Sequence, residues 1–414
     1  MLIVQKFGGS SVANPERILR VADRVVKTRR AGHQVVVVVS ALGDTTYELI
    51  DLSRRITNRP SEREMDMLMA TGEQVSVALL AMAVQRHRVP SISFTGAQVG
   101  IVTDASHTRA KILDISAQRI IQQLRQGKVV VVAGFQGMTT DHEITTLGRG
   151  GSDLTAVALA VALKAKVCEI YTDVDGVYTT DPRIEPNARK LDTISYDEML
   201  EMASLGAQVM QARSMEVAKK FEVPIHVRSS FTGRPGTMIS KEVKAMEEVV
   251  VRGVTVARDE AKVTICDVPD RPGLAAKIFT KLSDANINVD MILQNVSRTG
   301  STDVSFTVTL GELAKTLTTA RQVARAVGAK GVIYDDKIAK VSVVGVGMRS
   351  HSGIAARMFQ ALAKQSINIE MISTSEIKIS CVISKAQAVK AVRALHKAFG
   401  LDRLGTKPQL ALVR

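Results

Sequence analysis

Strand-like apolar runs alternate with longer helical patterns as far as about residue 245. Four runs, Leu2–Val4, Val35–Val39, Val129–Ala133 and Val167–Tyr171, are almost continuously apolar, which is typical of strands buried on both faces of a parallel sheet. Helical patterns such as Glu62–Arg86 separate them. The alternation predicts an α/β layered domain with a mostly parallel open sheet.

An internal repeat follows a segment rich in turn formers and charges near residues 229–248. Residues Gly273–Ile292 align without a gap on Gly353–Ile372, a displacement of 353 minus 273, or 80 residues. A β-rich run precedes and follows each copy. The order strand, glycine turn, helix, strand, strand is most of a ferredoxin-like β-α-β-β-α-β unit. The sequence therefore predicts two small duplicated α+β modules behind the α/β domain.

Composition limits the class of protein. A chain of 414 residues with 45% apolar residues is long enough for two or three globular domains. The net charge of +14 has two interpretations. Its electric field attracts small anions into a cleft, or the charge has no specific role. Tryptophan is absent and aromatic residues make up only 3% of the chain, which leaves little material for stacking bases. A nucleic-acid partner is therefore not expected.

The sequence also predicts the compartment. Cys168, Cys266 and Cys381 each lie in a strand-like apolar run, as expected of buried thiols in a reducing compartment. No charged segment followed by an apolar stretch opens the chain, and the longest apolar runs reach about half of a bilayer span. We expect a cytoplasmic protein without a membrane partner.

Glycine-rich turns follow several predicted strands: KFGGSS, SALGDTT and AGFQG. Loops at the carboxyl ends of parallel strands meet at one edge of the sheet, where ligands bind. Glycines allow backbone N–H groups to approach an anion closely. Lys6 precedes its glycines, unlike the lysine of a P-loop, and no G-x-G-x-x-G is present here. Each turn alone fits simple strand termination equally well, so the recurrence carries the prediction.

The segment TTLGRGGSDLTAVALAVAL, residues 145–163, gives the sharper signal. A glycine loop presents Arg149 immediately before a long apolar helix, which combines a guanidinium, free N–H groups and a helix N-terminus. This arrangement favours a carboxylate or phosphate ligand. The alternative is an ordinary helix start in which Ser152 or Asp153 caps the helix and Arg149 is solvated.

Two further segments carry acidic residues. The run beginning at Asp173 hints at a calcium loop, but Val177 and Ile184 occupy ligand positions, so that reading fails. Instead, the segment either holds the ribose and base of a nucleotide, with Arg183 near the phosphates, or is a structured loop without a ligand. Glu73 lies near the start of an apolar helix, where it either contributes to a site or complements the helix dipole. The histidines never fall at metal-ligand spacing.

Together these motifs resemble the monofunctional aspartokinases. The segments KFGGSSV, VVSALGDTT, TGEQ, TTLGRGGSD and YTDVDGVYTTDPR occur in that order, followed by DRPG, NINVDMI, QNVS, GVGMRSHSGIA and ISTSEIKIS. The similarity covers nearly the whole chain. It implies a three-layer amino-acid kinase domain at residues 1–245 and two ACT domains, one at 263–340 and the other at 249–262 plus 341–414.

The resemblance implies ATP-dependent, Mg²⁺-dependent phosphorylation of the β-carboxylate of L-aspartate, on the route to lysine, threonine and methionine. It implies lysine and/or threonine as effectors and a homodimer or higher oligomer through the ACT domains. It leaves open which amino acid inhibits, whether inhibition is concerted, and whether a separate regulatory chain starts near Met246.

The resemblance also implies roles for individual residues. For catalysis these are Lys6 and Asp153. For ATP they are Lys6, Gly8, Gly9, Ser10, Thr172, Asp173, Tyr178 and Arg183, and for aspartate they are Ser40, Thr46, Glu73, Arg149, Gly150, Gly151 and Ser152. For an effector they are Asp270, Gly273, Asn288 and Gln294, with Asn368, Ile369, Ser375 and Glu376 as the counterpart set. No protein metal ligand is implied.

Two positions depart from the family pattern, and two rival functions stay open. Tyr47 stands where an acidic residue or Asn is common, and Leu154 replaces a usual Thr. We expect Tyr47 to narrow the rim of the aspartate pocket and Leu154 only to pack. One rival is another acyl-phosphate-forming kinase, and the other is a ligand-sensing or nucleic-acid-binding regulator built on the charge and the repeats.

Overall fold

The computed structural model describes residues 1–205, 209–241, 251–295, 300–346, 348, 351 and 353–403. Within these ranges the chain forms two compact units. Unit 1 contains residues 1–178, 190–204 and 209–241, and unit 2 contains Thr179–Arg189, Leu205 and the described residues from 251 onward. Met246, the possible start of a separate regulatory chain, lies outside the described residues.

Unit 1 is built from strands and helices in alternation. Its strands are β1 Leu2–Phe7, β2 Gln34–Val39, β3 Ser91–Phe94, β4 Ile101–Thr103, β5 Ile112–Ile115, β6 Val129–Ala133, β7 Gln136–Met138, β8 Ile144–Thr146, β9 Val167–Thr172, β10 Thr193–Ser195, β11 Ile225–Ser229 and β12 Thr237–Ser240. Its helices are α1 Pro15–Arg30, α2 Thr45–Ile56, α3 Glu62–Arg86, α4 Gln118–Arg125, α5 Gly151–Ala162, α6 Tyr196–Ser204 and α7 Ala212–Phe221.

The main sheet of unit 1 has the strand order β10-β12-β11-β9-β1-β2-β6-β3 among the described residues. All of its pairs are parallel except β11 with β12. The four predicted strands are therefore confirmed, and they form the centre of an open, mostly parallel sheet as the sequence indicates. A smaller sheet has the order β5-β4-β7-β8.

Helices cover both faces of the main sheet. Val35, Val37 and Val39 pack with buried residues of α1 and α3 in one apolar cluster, and the alternate valines of β2 point to the opposite face. There α5 lies against β1, β2 and β9, and it is buried along most of its length. Apolar strands with buried positions on both faces thus give the predicted layers.

Helix α3 spans the predicted residues, and it corrects one interpretation. The helix begins after Ser61, whose hydroxyl accepts a hydrogen bond from the backbone N–H of Glu64 (3.3 Å). Glu73 therefore lies in the middle of α3, and its placement near a helix start is wrong. The apolar pattern upstream of Glu73 already belongs to the same helix, so the charge has no role at the positive end of the dipole.

By length and composition, α3 is also apolar enough to cross a membrane. About 56% of its apolar window is buried inside the fold, and Asp66 and Glu73 are buried with it. Such a helix fits the core of a layered domain, where the surrounding strands and helices cover its apolar side chains.

Unit 2 contains the repeat. Its strands are β13 Gly253–Pro269, β14 Ile292–Gln294, β15 Ser301–Thr309, β16 Gly331–Val344, β17 Met371–Thr374 and β18 Lys378–Ser384, and its helices are α8 Leu274–Asp284, α9 Leu313–Val327, α10 Ile354–Ala363 and α11 Ala388–Ala398. The strands form an antiparallel sheet in the order β14-β15-β13-β16-β18-β17. The predicted duplication is confirmed, because α8 with β14 and β15 matches α10 with β17 and β18.

The central strands β13 and β16 are long because each contributes to both copies. Residues 260–266 of β13 pair with β15 and with residues 331–338 of β16, whereas residues 253–257 of β13 pair with residues 340–344 of β16, which also pair with β18. Each copy has its own apolar core. The two copies are therefore joined by continuous backbone hydrogen bonding.

A cluster of charged side chains lies where the two copies meet. Lys340 is only 3% exposed, and its ammonium contacts Glu260 Oε1 at 2.8 Å and also the carboxylate of Asp290. Lys262 pairs with Glu370 nearby. A buried ammonium requires such partners, since an unpaired buried charge costs several kcal/mol.

The segment Thr179–Arg189 leaves unit 1 and packs within unit 2. The backbone N–H of Val254 donates to Thr179 O (2.7 Å), and Thr179 Oγ1 lies 2.9 Å from His396 Nε2. Arg189 Nε donates to Leu401 O (2.8 Å), and Ile184 packs on the core of the second copy. The chain re-enters unit 1 at Lys190.

The three cysteines are free. Cys168 and Cys381 are buried as expected, whereas Cys266 is partly exposed. Burial raises the pKa of the Cys381 thiol to about 12, which makes it a poor nucleophile at neutral pH.

Gly134 directly follows β6 and lies where the sheet packs against α5. A Cβ there would lie 2.6 Å from Ser152 Oγ and 3.0 Å from Ser152 Cα. Gly134→Ala must therefore displace the start of α5, and we expect the free energy of unfolding to fall by about 1–3 kcal/mol. Chemical denaturation measures it.

Gly233→Ala is the matched control, because nothing lies within 4 Å of its added Cβ and its φ is outside the left-handed region. We expect a change within about 0.5 kcal/mol. Equal stability of the two variants would contradict the close contact at Gly134.

Candidate active site

Lys6 lies near the end of β1, directly before the first glycine turn. Its ammonium is 2.6 Å from Asp153 Oδ1, and the two side chains are 13% and 11% exposed. A Cβ on Gly8 would lie 3.5 Å from Lys6 Nζ, so the glycine leaves open the space beside the ammonium. That space is open to a group carrying negative charge.

The second glycine of this turn lies against the loop that follows β2. A Cβ on Gly9 would be 2.9 Å from Gly43 O and 3.0 Å from Ala41 O. The backbone N–H of Gly43 donates to Gly9 O at 3.1 Å. The two loops are therefore in backbone contact, and a side chain at Gly9 would force them apart.

The loop that carries Arg149 reaches α5 through left-handed glycines. Gly148 and Gly150 have φ values of +78° and +72°, and Gly150 is the residue that precedes the first turn of α5. Neither Ser152 nor Asp153 caps the helix through its side chain. The interpretation of an ordinary N-cap is wrong, because Ser152 accepts a hydrogen bond from Ser40 Oγ (3.0 Å) and Asp153 pairs with Lys6.

The Arg149 side chain is exposed. Within the described ranges it has no hydrogen bond or ion pair, so its guanidinium keeps all its donors for a ligand or for water. In this respect the alternative of a solvated arginine matches the structure.

Glu73 is 2% exposed. Its Oε1 accepts a hydrogen bond from the backbone N–H of Ala41 (3.0 Å), while its buried Oε2 has no hydrogen-bond partner among the described residues. Burial raises the pKa of the carboxyl group to about 7, although the hydrogen bond from Ala41 works in the opposite direction. A buried acceptor without a partner is uncommon, and a ligand cation would satisfy it.

These side chains converge at one edge of the main sheet. Lys6 contacts Asp153, the adjacent Ser152 contacts Ser40, and Ala41 contacts Glu73. Thr46, in the first turn of α2, is half-buried, and Gly151 is buried at the start of α5. Ser10 is exposed beyond the first turn.

The residues predicted for ATP divide between the two units. Thr172 Oγ1 donates to Asp173 Oδ1 at 3.0 Å at the end of β9, and Tyr178 forms an isolated bridge with Lys190. Burial raises the pKa of the Tyr178 hydroxyl. Arg183 belongs to unit 2 and pairs with Asp181 (2.8 Å), whereas Thr172, Asp173 and Tyr178 belong to unit 1. Its role at ATP stays a prediction.

Sequence reasoning missed five side chains near these segments: Asp175, Thr232, Arg234, Asp66 and Arg213. Asp175 accepts a hydrogen bond from Thr232 Oγ1 (2.6 Å) and pairs with Arg234 (3.3 Å), and the motif FTGRPG was read only as a boundary. Asp66 and Arg213 contact the segments around Arg149. Two acidic residues seven positions apart on one face of an apolar helix, Asp66 and Glu73, were a usable signal.

In unit 2, three of the predicted effector residues lie on one cavity. Asp270, Gly273 and Gln294 line a cavity of about 300 Å³. Gly273 has a φ of +88° and precedes α8, a conformation that favours glycine. Asn288 is exposed in the segment before β14.

The counterpart set lies in the second copy. Asn368 and Glu376 are exposed, Ile369 packs partly on the apolar core, and Ser375 Oγ accepts a hydrogen bond from Ile377 N (3.3 Å). The roles of both sets stay predictions.

Leu154 and Tyr47 are the two residues that depart from the family pattern. Leu154 packs with Ala110 and Leu147 in a small apolar cluster, as expected. Tyr47 is 62% exposed. In the part of the chain that the structure describes, no group of three or more His, Cys, Asp or Glu side chains is arranged to hold a metal ion.

Known proteins match this chain over both units. Residues 1–229 match the amino acid kinase family, and residues 262–326 and 341–399 each match an ACT domain. An aspartate kinase of Pseudomonas putida is 57% identical over 402 residues, which covers 97% of this chain and 98% of that protein.

Two crystal structures of E. coli aspartokinase III, each 26% identical, share the fold. The complex with aspartate and ADP in the R-state has a TM-score of 0.83 and covers 97% of this chain and 100% of that chain. The complex with lysine and aspartate in the T-state has a TM-score of 0.71 and covers 96% and 99%.

The resemblance that the motifs indicate is thereby confirmed. Identity of this extent covers the parallel-sheet unit and both repeats together. The chain belongs to the aspartate kinases of the amino acid kinase family and carries two ACT domains after its kinase domain.

Proposed function

We propose that this aspartate kinase transfers the γ-phosphoryl group of ATP to the β-carboxylate of L-aspartate, giving 4-phospho-L-aspartate and ADP as the first step towards lysine, threonine and methionine. One observation carries the proposal. The Lys6–Asp153 ion pair and the buried, partly unsatisfied Glu73 lie at the same edge of the sheet. A related E. coli enzyme binds aspartate and ADP.

The phosphoryl group lies at the first glycine turn. Lys6, held by Asp153, contacts the transferring group, while Gly8, Gly9 and Ser10 hold phosphate oxygens through backbone N–H groups. Mg²⁺ carried by the nucleotide phosphates supplies further neutralisation of charge. The remaining ATP residues are Thr172, Asp173, Tyr178 and Arg183.

The α-amino and α-carboxylate groups of aspartate are bound by opposite charges. Oε2 of Glu73 accepts hydrogen bonds from the ammonium, and the free guanidinium of Arg149 binds the α-carboxylate in bidentate fashion. Ser40, Thr46, Gly150, Gly151 and Ser152 complete the pocket. This pair of charges favours a free α-amino acid over an N-acetylated one, which argues against a rival kinase that acts on acetylglutamate.

No general base is needed for this chemistry. The β-carboxylate is already ionised at pH 7, and the difficulty is to bring it close to a second anion. The side chains therefore act by positioning the two reactants and neutralising charge, which is the usual means of phosphoryl transfer.

Lys6→Ala should lower kcat by at least about 10²- to 10³-fold, because it removes the cation at the point of transfer. A coupled assay of ADP release measures kcat, and hydroxylamine trapping detects the acyl phosphate. Aspartate, glutamate and acetylglutamate are compared as acceptors, and we expect turnover with aspartate.

Lys27→Ala is the control for Lys6, since Lys27 is an exposed lysine of α1. It should retain normal turnover, and both variants should keep the wild-type melting temperature within a few degrees. Near-normal kcat in Lys6→Ala would refute its role, and faster turnover of glutamate or acetylglutamate would establish the rival kinase.

The pKa of Glu73 predicts the pH dependence of aspartate binding. With burial raising that pKa to about 7 in the free enzyme, the carboxylate that pairs with the ammonium is lost as pH falls below 7. We expect kcat/KM for aspartate to fall by up to about tenfold per pH unit there. Glu73→Gln should lower kcat/KM by about 10- to 100-fold at pH 8 and flatten the profile.

The same pKa fixes the sign of a stability effect. The unfolded carboxyl ionises near 4.5 and the folded one near 7, so rising pH favours the unfolded chain between these values, by up to about 3 kcal/mol. Without ligand, Glu73→Gln should therefore be more stable than the wild type above pH 7 and equal to it below pH 4.5. Glu62→Gln, at an exposed position of α3, should show neither effect, and a wild-type pH profile in Glu73→Gln would refute the assignment.

We also propose how the kinase is regulated. Lysine and/or threonine bind the cavity lined by Asp270, Gly273 and Gln294, and Asn288 belongs to the same proposed effector set. A counterpart site is formed by Asn368, Ile369, Ser375 and Glu376. The support is the cavity itself and a related E. coli enzyme that binds lysine and aspartate in a T-state.

A path for coupling exists in the chain. Segment Thr179–Arg189 follows β9, which ends at the proposed ATP residues Thr172 and Asp173. The segment is hydrogen-bonded to the second repeat through His396 and Leu401. A change in the effector modules would be passed to Tyr178 and Lys190 through the backbone, with a coupling free energy of about 1–3 kcal/mol.

The proposed assembly follows the same lines. We propose a kinase domain at residues 1–245 and ACT domains at 263–340 and at 249–262 plus 341–414. The pairing of β13 and β16 with strands of both copies supports the nested arrangement, whereas segment Thr179–Arg189 of the kinase range packs within unit 2. We propose a cytoplasmic homodimer or higher oligomer formed through the ACT domains.

Asp270→Ala should weaken inhibition, because its carboxylate is the acceptor in the cavity for the effector's ammonium. We expect the concentration of lysine or threonine for half-inhibition to rise at least about tenfold, with kcat unchanged without effector. Kinase activity is measured with each amino acid singly and with both together. Asp336→Ala, an exposed carboxylate on β16, should leave inhibition normal, and the same result in Asp270→Ala would refute this effector site.

A further inference from the structure

Asp66 is a fully buried carboxylate, 0% exposed, on α3. Burial of an ionised group is costly unless several hydrogen bonds satisfy it. The proposed phosphoryl transfer gives this residue no task. Its partners therefore indicate why the fold keeps a carboxyl group in the core.

Among the described residues, the partners of Asp66 lie on β8, which leads towards Arg149, and on the 107–108 loop, where Thr108 O would be 3.2 Å from a Cβ on Gly148. Thr146 Oγ1 donates to Oδ1 at 2.5 Å. The backbone N–H of Thr108 contacts both carboxylate oxygens at 3.0 Å, and His107 Nδ1 lies 2.8 Å from Oδ2. The carboxylate thus fastens the 107–108 loop and the end of β8 to α3.

The positions of these contacts along the chain connect two residues of the aspartate pocket. Asp66 precedes Glu73 by seven residues, two helical turns on the same face of α3. Thr146 precedes Arg149 by three residues, at the end of β8. One buried group therefore sets the helix that carries Glu73 against the strand that leads to Arg149.

Arg213, on α7, holds the same segments with its guanidinium. Its Nη1 donates to Leu147 O at 2.7 Å and its Nη2 donates to Ala110 O at 2.9 Å. The N–H of Ala110 in turn donates to Thr146 O (2.9 Å). The planar fork of an arginine suits two neighbouring carbonyl groups, and a lysine ammonium does not reproduce it.

External support is needed here because the Arg149 loop is flexible by composition. Gly148 and Gly150 flank Arg149, and glycine restricts the backbone less than any other residue. The Arg149 side chain has no described partner to hold it. A shift of about 1 Å in such a group is enough to cost about 10²-fold in rate.

We propose, on the basis of the aspartate kinase activity proposed above, that Asp66 and Arg213 are positioning residues that hold the Arg149 loop at a fixed distance from Glu73. They contact neither aspartate nor ATP. Their loss should weaken the use of aspartate and leave the use of ATP unchanged.

Asp66→Asn is the first variant, because it keeps the shape but places an amide N–H₂ against the donors of Thr108 or Thr146. We expect KM for aspartate to rise at least tenfold, towards the value of Arg149→Ala, while KM for ATP stays within twofold and kcat within about fivefold. Glu64→Gln, on an exposed carboxylate of the same helix, should match the wild type in all three constants.

A milder pair of variants covers the case in which Asp66→Asn does not fold. Thr146→Val removes the hydroxyl that donates to Asp66 and should raise KM for aspartate. Thr146→Ser keeps the hydroxyl and should therefore have the wild-type KM for aspartate. The double variant Asp66→Asn/Thr146→Val should show less than the product of the two single effects, because both break one contact. Arg213→Lys should raise KM for aspartate as Asp66→Asn does and should leave KM for ATP unchanged.

The outcomes separate this proposal from the proposed function. If the wild type releases no ADP with aspartate, the proposed function fails, and hydrogen exchange then decides on the positioning role. Faster exchange of the amides at 147–153 in Asp66→Asn and Arg213→Lys than in the wild type supports it, and unchanged exchange overturns it. In an active enzyme, a lower kcat or melting temperature with unchanged KM for aspartate overturns the proposal, as does failure of Thr146→Ser to restore KM.

Discussion

The ion pair between Lys6 and Asp153 joins the central strand of the kinase sheet to the start of a buried helix. The chemistry requires a cation where two anions meet, yet a largely buried ammonium without a partner would destabilise the fold. Asp153 satisfies the ammonium and fixes its direction. The position of α5 is set by the same contact, and with it the position of the loop that carries Arg149.

Close backbone approach is the second constraint. Gly9 brings the first turn against Ala41 and Gly43, and Gly134 brings the end of β6 against Ser152. Side chains at these positions would separate the loops that converge on the ion pair. The site thus depends on the lack of a side chain at these glycines as much as on the charged groups, because small shifts between reacting groups lower the rate.

The sequence predicted the parts of the fold that depend on local pattern. The valine-rich strands, α3 and the repeat follow from apolar periodicity and from a gapless alignment, and the glycine motifs supplied candidate site residues whose roles stay predictions. The family resemblance pointed to Lys6 and Asp153 together, and the structure pairs them. The bond between Ser40 and Ser152 was not predictable, because local pattern does not connect residues more than a hundred positions apart. Arg213 was missed for the same reason, whereas Asp66 carried a usable signal in its spacing of seven residues from Glu73 on one helix. The placement of Arg183 in the regulatory unit reflects tertiary packing that no motif records.

Duplication has left a trace in the regulatory sheet. Glu260 and Lys340 are equivalent positions, since they differ by the 80-residue displacement of the repeat, yet they face each other as opposite charges on β13 and β16. In a strict copy two identical charges would meet there and repel each other in a dry environment. Two first copies joined in this geometry would bury a pair of carboxylates. The halves have therefore ceased to be interchangeable, and each now constrains the evolution of the other, as in a heterodimer contained in one chain.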